Sequence, residues 1–204
     1  MSYSLLFDIG NVIVSFDFRI AARKVAPMCD IPAESLLPSV SGMMIDLESG
    51  VISSDQFIDS AIDKIGYTGE RDFLVHAFQD IFEVNELNVE LIKQESGKGV
   101  PLYLLSNTSG IHVPWLFRHY PVFQYFEKGI FSHEVFCMKP DPEIYRKTID
   151  ILGVDPAKTI YIDDIEENCR AGAKAGFQTC CYRKENHTEF LAELAARKAA
   201  LAAC

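Results

Sequence analysis

Asp8 stands alone as a charged side chain in the run Leu5-Leu6-Phe7-Asp8-Ile9-Gly10-Asn11-Val12-Ile13-Val14. Apolar residues on both sides give a continuous pattern, the signature of a strand covered by helices on both faces. Gly10 lets the backbone turn, and strand exits are where open α/β sheets place their ligands. The sequence therefore predicts Asp8 at the mouth of a crevice, exposed and placed to act as a nucleophile. Three further strand exits carry polar residues: Ser106-Asn107 after Val100-Pro-Leu-Tyr-Leu-Leu105, Lys139 ahead of Pro140-Asp141-Pro142, and Asp163-Asp164 after Thr159-Ile-Tyr-Ile162, with Asn168 four residues on. Singly each has an ordinary reading as a helix cap or a loop charge. In a parallel sheet the exits share one edge, so a nucleophile, a hydroxyl donor, a cation and a metal-type acidic pair converge. That set of groups describes a phosphate site.

The elements that must position these groups follow from periodicity and breakers. Asp17 caps a helix over Phe18–Ala26 that Pro27 stops, Ala33–Met44 is a short helical segment, and Ser53-Ser54-Asp55-Gln56 is a capping box opening a helix over Asp55–Ile65. Gly66 closes that helix, and Glu70–Phe82 forms another. Ser15 to Asp17 lead into the first of these helices, and from there to about Phe82 the pattern is helical only. A helix over Glu86–Glu95 then leads to the second strand, and a helix bearing Trp115 and Tyr120 leads to a short strand near Gly129–Phe131. Glu143–Leu152 is helical, a helix follows Asp163-Asp164 through Ala175, Gln178–Tyr182 is a fifth strand, and Thr188–Ala203 is a terminal helix. Strands alternating with helices at this spacing predict an α/β fold, a doubly wound parallel sheet. Residues 1–15 and 86–204 form its core, and residues 16–85 form an all-helical insert over the crevice.

The chain has 204 residues, 49% of them hydrophobic, enough for one substantial core and a smaller insert. Its formal charge is −10 with no basic stripe, which argues against nucleic acid or an anionic membrane as a partner. No basic segment precedes an apolar one at the start and no long uncharged apolar stretch occurs, so a soluble, cytoplasmic protein is expected. The six cysteines (Cys29, Cys137, Cys169, Cys180, Cys181 and Cys204) lack C-x-x-C spacing and read as reduced thiols rather than a zinc site. The oligomeric state is not encoded in any feature of the sequence.

Phe7-Asp8-Ile9-Gly10-Asn11-Val12, Ser106-Asn107-Thr108, Lys139-Pro140-Asp141-Pro142-Glu143-Ile144-Tyr145 and Tyr161-Ile162-Asp163-Asp164 with Asn168 resemble the four motifs of the haloacid dehalogenase superfamily. The resemblance spans almost the whole chain. The helical insert is similar to that family's four-helix cap, and Leu47-Glu48-Ser49-Gly50-Val51-Ile52-Ser53 is similar to its specificity loop. Gly-Asn-Val after the aspartate resembles a narrower group, the sugar-phosphate phosphatases. The resemblance implies a Rossmann-like core and Mg²⁺ held by the carboxylates of Asp8 and Asp164 and the carbonyl of Gly10. Asp163 and Asn168 would orient metal waters and Lys139. Lys139, Ser106, Asn11 and the amide of Asn107 would hold the phosphoryl group, and Asp8 would form a phosphoaspartyl intermediate that water hydrolyses. The implied substrate is a small phosphorylated metabolite, such as a hexose 1-phosphate.

The sequence departs from the resemblance where most such phosphatases carry a second aspartate, their general acid and base. Gly10 occupies that position. General acid help is worth roughly 10²- to 10⁴-fold, so another group supplies the proton or the leaving oxygen needs little help, as the anomeric oxygen of a sugar 1-phosphate would. His112 and His133 lie nearest in sequence to the motifs, but packing or surface roles suit them better. Phe78, Phe82, Trp115, Tyr120, Phe123 and Phe126 have spacings expected of core packing. Phe136 stands where relatives often carry glycine. Two other readings stay open: a metal-independent dehalogenase or epoxide hydrolase using Asp8 on carbon, and a weakly active phosphate-binding regulator.

Overall fold

A computed structural model describes residues 3–203. In chain order its main elements are β1 (Ser4–Phe7), β2 (Val14–Phe16), α1 (Phe18–Val25), α2 (Ala33–Glu48), α3 (Ser54–Ile65), α4 (Arg71–Gln79), β3 (Phe82–Val84), α5 (Glu86–Gly97), β4 (Leu102–Ser106) and α6 (His112–His119). They continue with β5 (Lys128–Phe131), α7 (Ser132–Val135), α8 (Pro142–Leu152), β6 (Thr159–Asp163), α9 (Glu166–Lys174), β7 (Gln178–Cys181) and α10 (His187–Ala202). The main sheet is parallel with the order β5-β4-β1-β6-β7. This is the doubly wound α/β arrangement. The chain winds outward on one side of β1 and then on the other, so a crevice opens at the strand ends on either side of β1.

Register explains why the polar residues meet. Phe7 pairs with Leu104 on one side and Ile162 on the other, so β1, β4 and β6 end within two residues of one another at the same edge. Asp8, Ser106 and Asp163 each lie at or just beyond those ends. The central strands are fully buried: Leu5, Leu6, Phe7, Leu104, Leu105, Ile160 and Ile162 have no exposed surface. Burial of this kind stabilises by roughly 1.5–3 kcal/mol per large side chain.

The apolar run at the N-terminus is two strands rather than one. β1 stops at Phe7, Asn11 takes a left-handed conformation (φ 53°) within the turn, and Val14–Phe16 then pairs antiparallel with Phe82–Val84. The expectation of an all-helical insert over residues 16–85 is therefore corrected at both ends by this ribbon. Three-residue strands leave too short an alternation to be read from sequence, and their pairing spans some 70 residues of chain. The ribbon also ends α4 at Gln79, before Phe82. In the other direction α2 runs past Met44 to Glu48 even though Pro38 lies inside it.

The helices α1 to α4 gather a hydrophobic cluster of their own, including Leu36, Phe57, Ile58, Ala61 and Leu74, distinct from the clusters on the two faces of the sheet. At the start of α3 the expected capping box is present, with Ser53 Oγ accepting from the Gln56 amide at 3.2 Å and Gln56 Oε1 accepting from the Ser53 amide at 2.8 Å. Five of the six expected core aromatics pack: Phe78 and Phe123 are buried, and Phe82, Tyr120 and Phe126 lie partly buried against the clusters. Trp115 instead lies outside the clusters, half-buried between His76 and His119. Among the described residues no helix is long and apolar enough to cross a membrane, and the five described cysteines are free thiols; Cys204 lies outside the described residues.

Candidate active site

Lys139 organises the edge of the sheet. Its Nζ lies 2.9 Å from Asp8 Oδ1 and 2.6 Å from Asp163 Oδ2, and it also donates to the Leu105 carbonyl at 3.2 Å. All three charged side chains are buried: Lys139 is 5% exposed, Asp8 6% and Asp163 0%. Asp8 was expected to be exposed, and it is not. It stands at the strand exit as predicted, but Lys139 and the residues above cover it.

The loop carrying Lys139 is held to the loop after β4 by a reciprocal pair. Asn107 Nδ2 donates to the Lys139 carbonyl at 3.0 Å and the Lys139 amide donates to Asn107 Oδ1 at 2.8 Å. The Asn107 side chain is thus occupied, and its main-chain amide is what it has to offer a substrate. Phe136, in the approach to Lys139, adopts φ 56° with its side chain exposed. Glycine would take that conformation without cost, whereas a phenylalanine there is strained.

Asp163 has no free capacity. Its oxygens accept from Lys139 Nζ, from the Tyr161 hydroxyl, from Asn168 Nδ2 at 3.0 and 3.2 Å and from the Ile165 amide at 2.8 Å. A carboxylate so saturated positions its neighbours. Tyr161 escaped the sequence reading, although its place two residues before Asp163 on the same strand face was a usable signal. Asp164 is freer, half-buried and accepting only from Asn11 Nδ2 at 3.0 Å among the described residues. Asn11, expected on the substrate, lines the cavity above the site and donates to Asp164.

Electrostatics follow from this burial. Loss of solvent pushes Asp8 up to about 6 against the pull of Lys139, and burial raises Asp164 as well. Burial alone would pull Lys139 down, but Asp8 and Asp163 more than offset it, so the ammonium is firmly held. Oxygens of Asp8, Asp163 and Asp164 lie within 4.8 Å of one another. Three carboxylates facing one ammonium leave excess negative charge in an all-oxygen setting, which fits a hard divalent cation. Asp8 and Asp164 have the capacity to ligate it, whereas Asp163 does not. A cavity of about 210 Å³ opens above these groups, lined by Asp8, Ser106, Asn107, Lys139, Asp164 and, from the end of α2, Glu48.

Sequence reasoning missed Glu48 as an individual and missed Phe16 altogether. Both reach the cavity, Phe16 from the ribbon. His112 and His133 take packing roles. The His112 ring is buried, its Nε2 3.2 Å from the Phe78 carbonyl and its Nδ1 3.3 Å from Ser109 Oγ, while His133 Nδ1 lies 3.0 Å from the Thr108 carbonyl.

The model of the haloacid dehalogenase-like hydrolases matches residues 5–176. The chain belongs to this family. Among curated relatives of this hydrolase, the D-ribitol-5-phosphate phosphatase of Bacteroides thetaiotaomicron is 28% identical, covering 95% of this chain and 97% of its own. The phosphorylated carbohydrates phosphatase of Thermotoga maritima is 27% identical over 50% of this chain and 47% of its own. A haloacid dehalogenase family enzyme of B. thetaiotaomicron, solved with magnesium and inorganic phosphate, superposes with a TM-score of 0.79 at 26% identity, covering 89% of this hydrolase and 94% of that chain.

Proposed function

We propose that this hydrolase is a Mg²⁺-dependent phosphomonoesterase acting on a small phosphorylated carbohydrate through an aspartyl-phosphate. The observation that carries the reading is the convergence of Asp8, Lys139 and Asp164 at one strand edge, with Asp8 2.9 Å from the Lys139 ammonium. A phosphate monoester repels an attacking carboxylate, so the nucleophile needs fixed positive charge at the phosphoryl oxygens. Lys139, locked by Asp8, Asp163 and the Leu105 carbonyl, provides one such charge with no freedom to relax away. Asp8, Asp164 and the Gly10 carbonyl are the ligands proposed for Mg²⁺, which when bound supplies further charge neutralisation at the transferring group. Ser106 Oγ and the Asn107 amide complete the donors around the phosphoryl group. Helices α1 to α4, within residues 16–85, serve as a cap over the cavity.

The relatives that act on ribitol 5-phosphate and on phosphorylated carbohydrates support a sugar or sugar-alcohol phosphate as substrate. A hexose 1-phosphate belongs to that class as the member whose leaving oxygen needs least protonation. The acidic pair disfavours attack on carbon, which requires no metal. Asp8→Asn is expected to abolish phosphate release from p-nitrophenyl phosphate, and a chelator to suppress it in the wild type. Chloride release from 2-chloropropionate without metal would replace this reading with a dehalogenase, and no turnover of either substrate would leave a phosphate-binding regulator.

A further inference from the structure

Gly10 removes the usual proton donor, and the structure shows that its place is filled: a Cβ built on Gly10 would lie 3.0 Å from Cε1 of Phe16. A side chain could be restored there only if the Phe16 ring shifted. The only other carboxylate among the described residues that lines the same cavity, apart from Asp8 and Asp164, is Glu48 at the last turn of α2. It lines this cavity and also the small apolar one beside it, walled by Phe16, Phe18 and Phe82.

Glu48 is firmly seated. Its carbonyl accepts from Ser132 Oγ at 2.5 Å, and the same hydroxyl oxygen accepts from the Thr108 amide at 3.0 Å. The end of α2 is thereby tied to the β5 exit and to the loop that carries Ser106 and Asn107. Two residues on, Gly50 (φ 77°) passes so close to the core that a Cβ would lie 2.4 Å from the His133 carbonyl oxygen. Among the described residues the Glu48 carboxylate has no hydrogen-bond or ion-pair partner, and burial pushes its pKa up. An unpartnered, half-buried carboxyl favours the protonated form that an acid requires.

On the phosphatase reading above, on which this rests, we propose that Glu48 is the catalytic acid and base that replaces the residue missing at Gly10. As the Asp8 carboxylate bonds to phosphorus and the P–O bond to the sugar breaks, the leaving oxygen takes the Glu48 proton and departs as an alcohol. The Glu48 carboxylate then accepts a proton from the water that attacks phosphorus. The bond from phosphorus to Asp8 breaks, releasing hydrogen phosphate and restoring both carboxyls to their starting states. The alcohol product needs no special acidity in this scheme, so the site accepts alkyl phosphates as well as anomeric ones.

Leaving-group dependence in Glu48→Gln tests this. With glycerol 3-phosphate, an alkyl phosphate, kcat/KM is expected to fall by roughly 10²- to 10⁴-fold. With p-nitrophenyl phosphate, whose phenolate leaves without a proton, the first turnover is expected to stay within about fivefold of wild type, followed by slow steady-state release because water activation is impaired. A loss of equal size on both substrates, or no loss on either, overturns the role. The wild-type chain provides a measurement independent of the variant's folding: a shallow dependence of the first-turnover rate on leaving-group pKa across aryl and alkyl phosphates supports a donor, and a steep one overturns it. Failure of the phosphatase reading looks different, since it would abolish metal-dependent phosphate release in the wild type itself.

Discussion

Asp163 and Asp164 are neighbours in sequence and members of one acidic pair, yet the structure assigns them opposite energetic roles, and Asp163→Asn beside Asp164→Asn separates them. Asp163 is fully buried and accepts from four donors, one of them the Lys139 ammonium. An asparagine has one oxygen. If that oxygen faces Lys139, the new amide group faces the Ile165 N–H, leaving a buried donor unsatisfied at about 1–3 kcal/mol. Lys139 meanwhile loses one of its two carboxylates, and breaking a buried pair from one side costs about 3–5 kcal/mol. Because Asp8 still pairs with Lys139, a total near 3–5 kcal/mol is expected. For a domain of this size each kcal/mol lowers Tm by about 2–4 °C, so Asp163→Asn should melt roughly 6–20 °C below wild type. Asp164 is half-buried and loses only the bond from Asn11 Nδ2, so Asp164→Asn should change stability by less than about 1 kcal/mol in chelator. Urea unfolding with EDTA, followed by circular dichroism, measures both. Equal destabilisation by the two variants, or an Asp163→Asn within 1 kcal/mol of wild type, would refute the assignment of Asp163 as the organiser of Lys139. With Mg²⁺ added, wild type should gain stability through binding linkage and Asp164→Asn should not.

His112 gives a pH signature. Burial holds it down to about 4 from its ordinary 6.5, so the folded state keeps it neutral while the unfolded chain binds a proton first. Its contribution to stability is full above about pH 6.5 and is lost as pH falls through 4, amounting to about 3 kcal/mol; His112→Gln should flatten that part of the stability profile in urea titrations between pH 7 and 4. At Gly50 an alanine would meet the His133 carbonyl in a left-handed conformation costing about 1–2 kcal/mol, and would lift the end of α2 from the core. Gly50→Ala should lower Tm by a few degrees and kcat/KM on glycerol 3-phosphate on the order of 10- to 100-fold, measured against a wild-type control.

Much of the site was written locally. Asp8, Ser106, Lys139 and Asp163-Asp164 each follow or precede a strongly patterned segment, and a parallel sheet leaves one edge on which such exits meet. Hence the fold class and the converging residues could be read without coordinates. Even the oddity at Gly10 was visible, as was the position of Phe136, whose left-handed backbone explains it. What stayed hidden depends on contacts distant in sequence. The ribbon of Val14–Phe16 with Phe82–Val84 is too short to leave a periodic pattern, and it is the ribbon that brings Phe16 against Gly10. Asp8 is buried beside Lys139, a partner 131 residues away by the numbering that its own strand does not reveal. That Asn11 donates to Asp164 at 3.0 Å is likewise invisible until the fold brings the two together. Glu48 is an acidic residue at a helix end like many others, and only Ser132 and the close pass of Gly50 over His133 fix it in the wall of the cavity that Asp8 also lines. The sequence alone determines which groups are available and at which edge, because pattern and strand polarity are local properties. Which carboxylate organises, which can ligate, and which remains unpartnered are decided by tertiary packing, since partner and solvent access belong to no single segment.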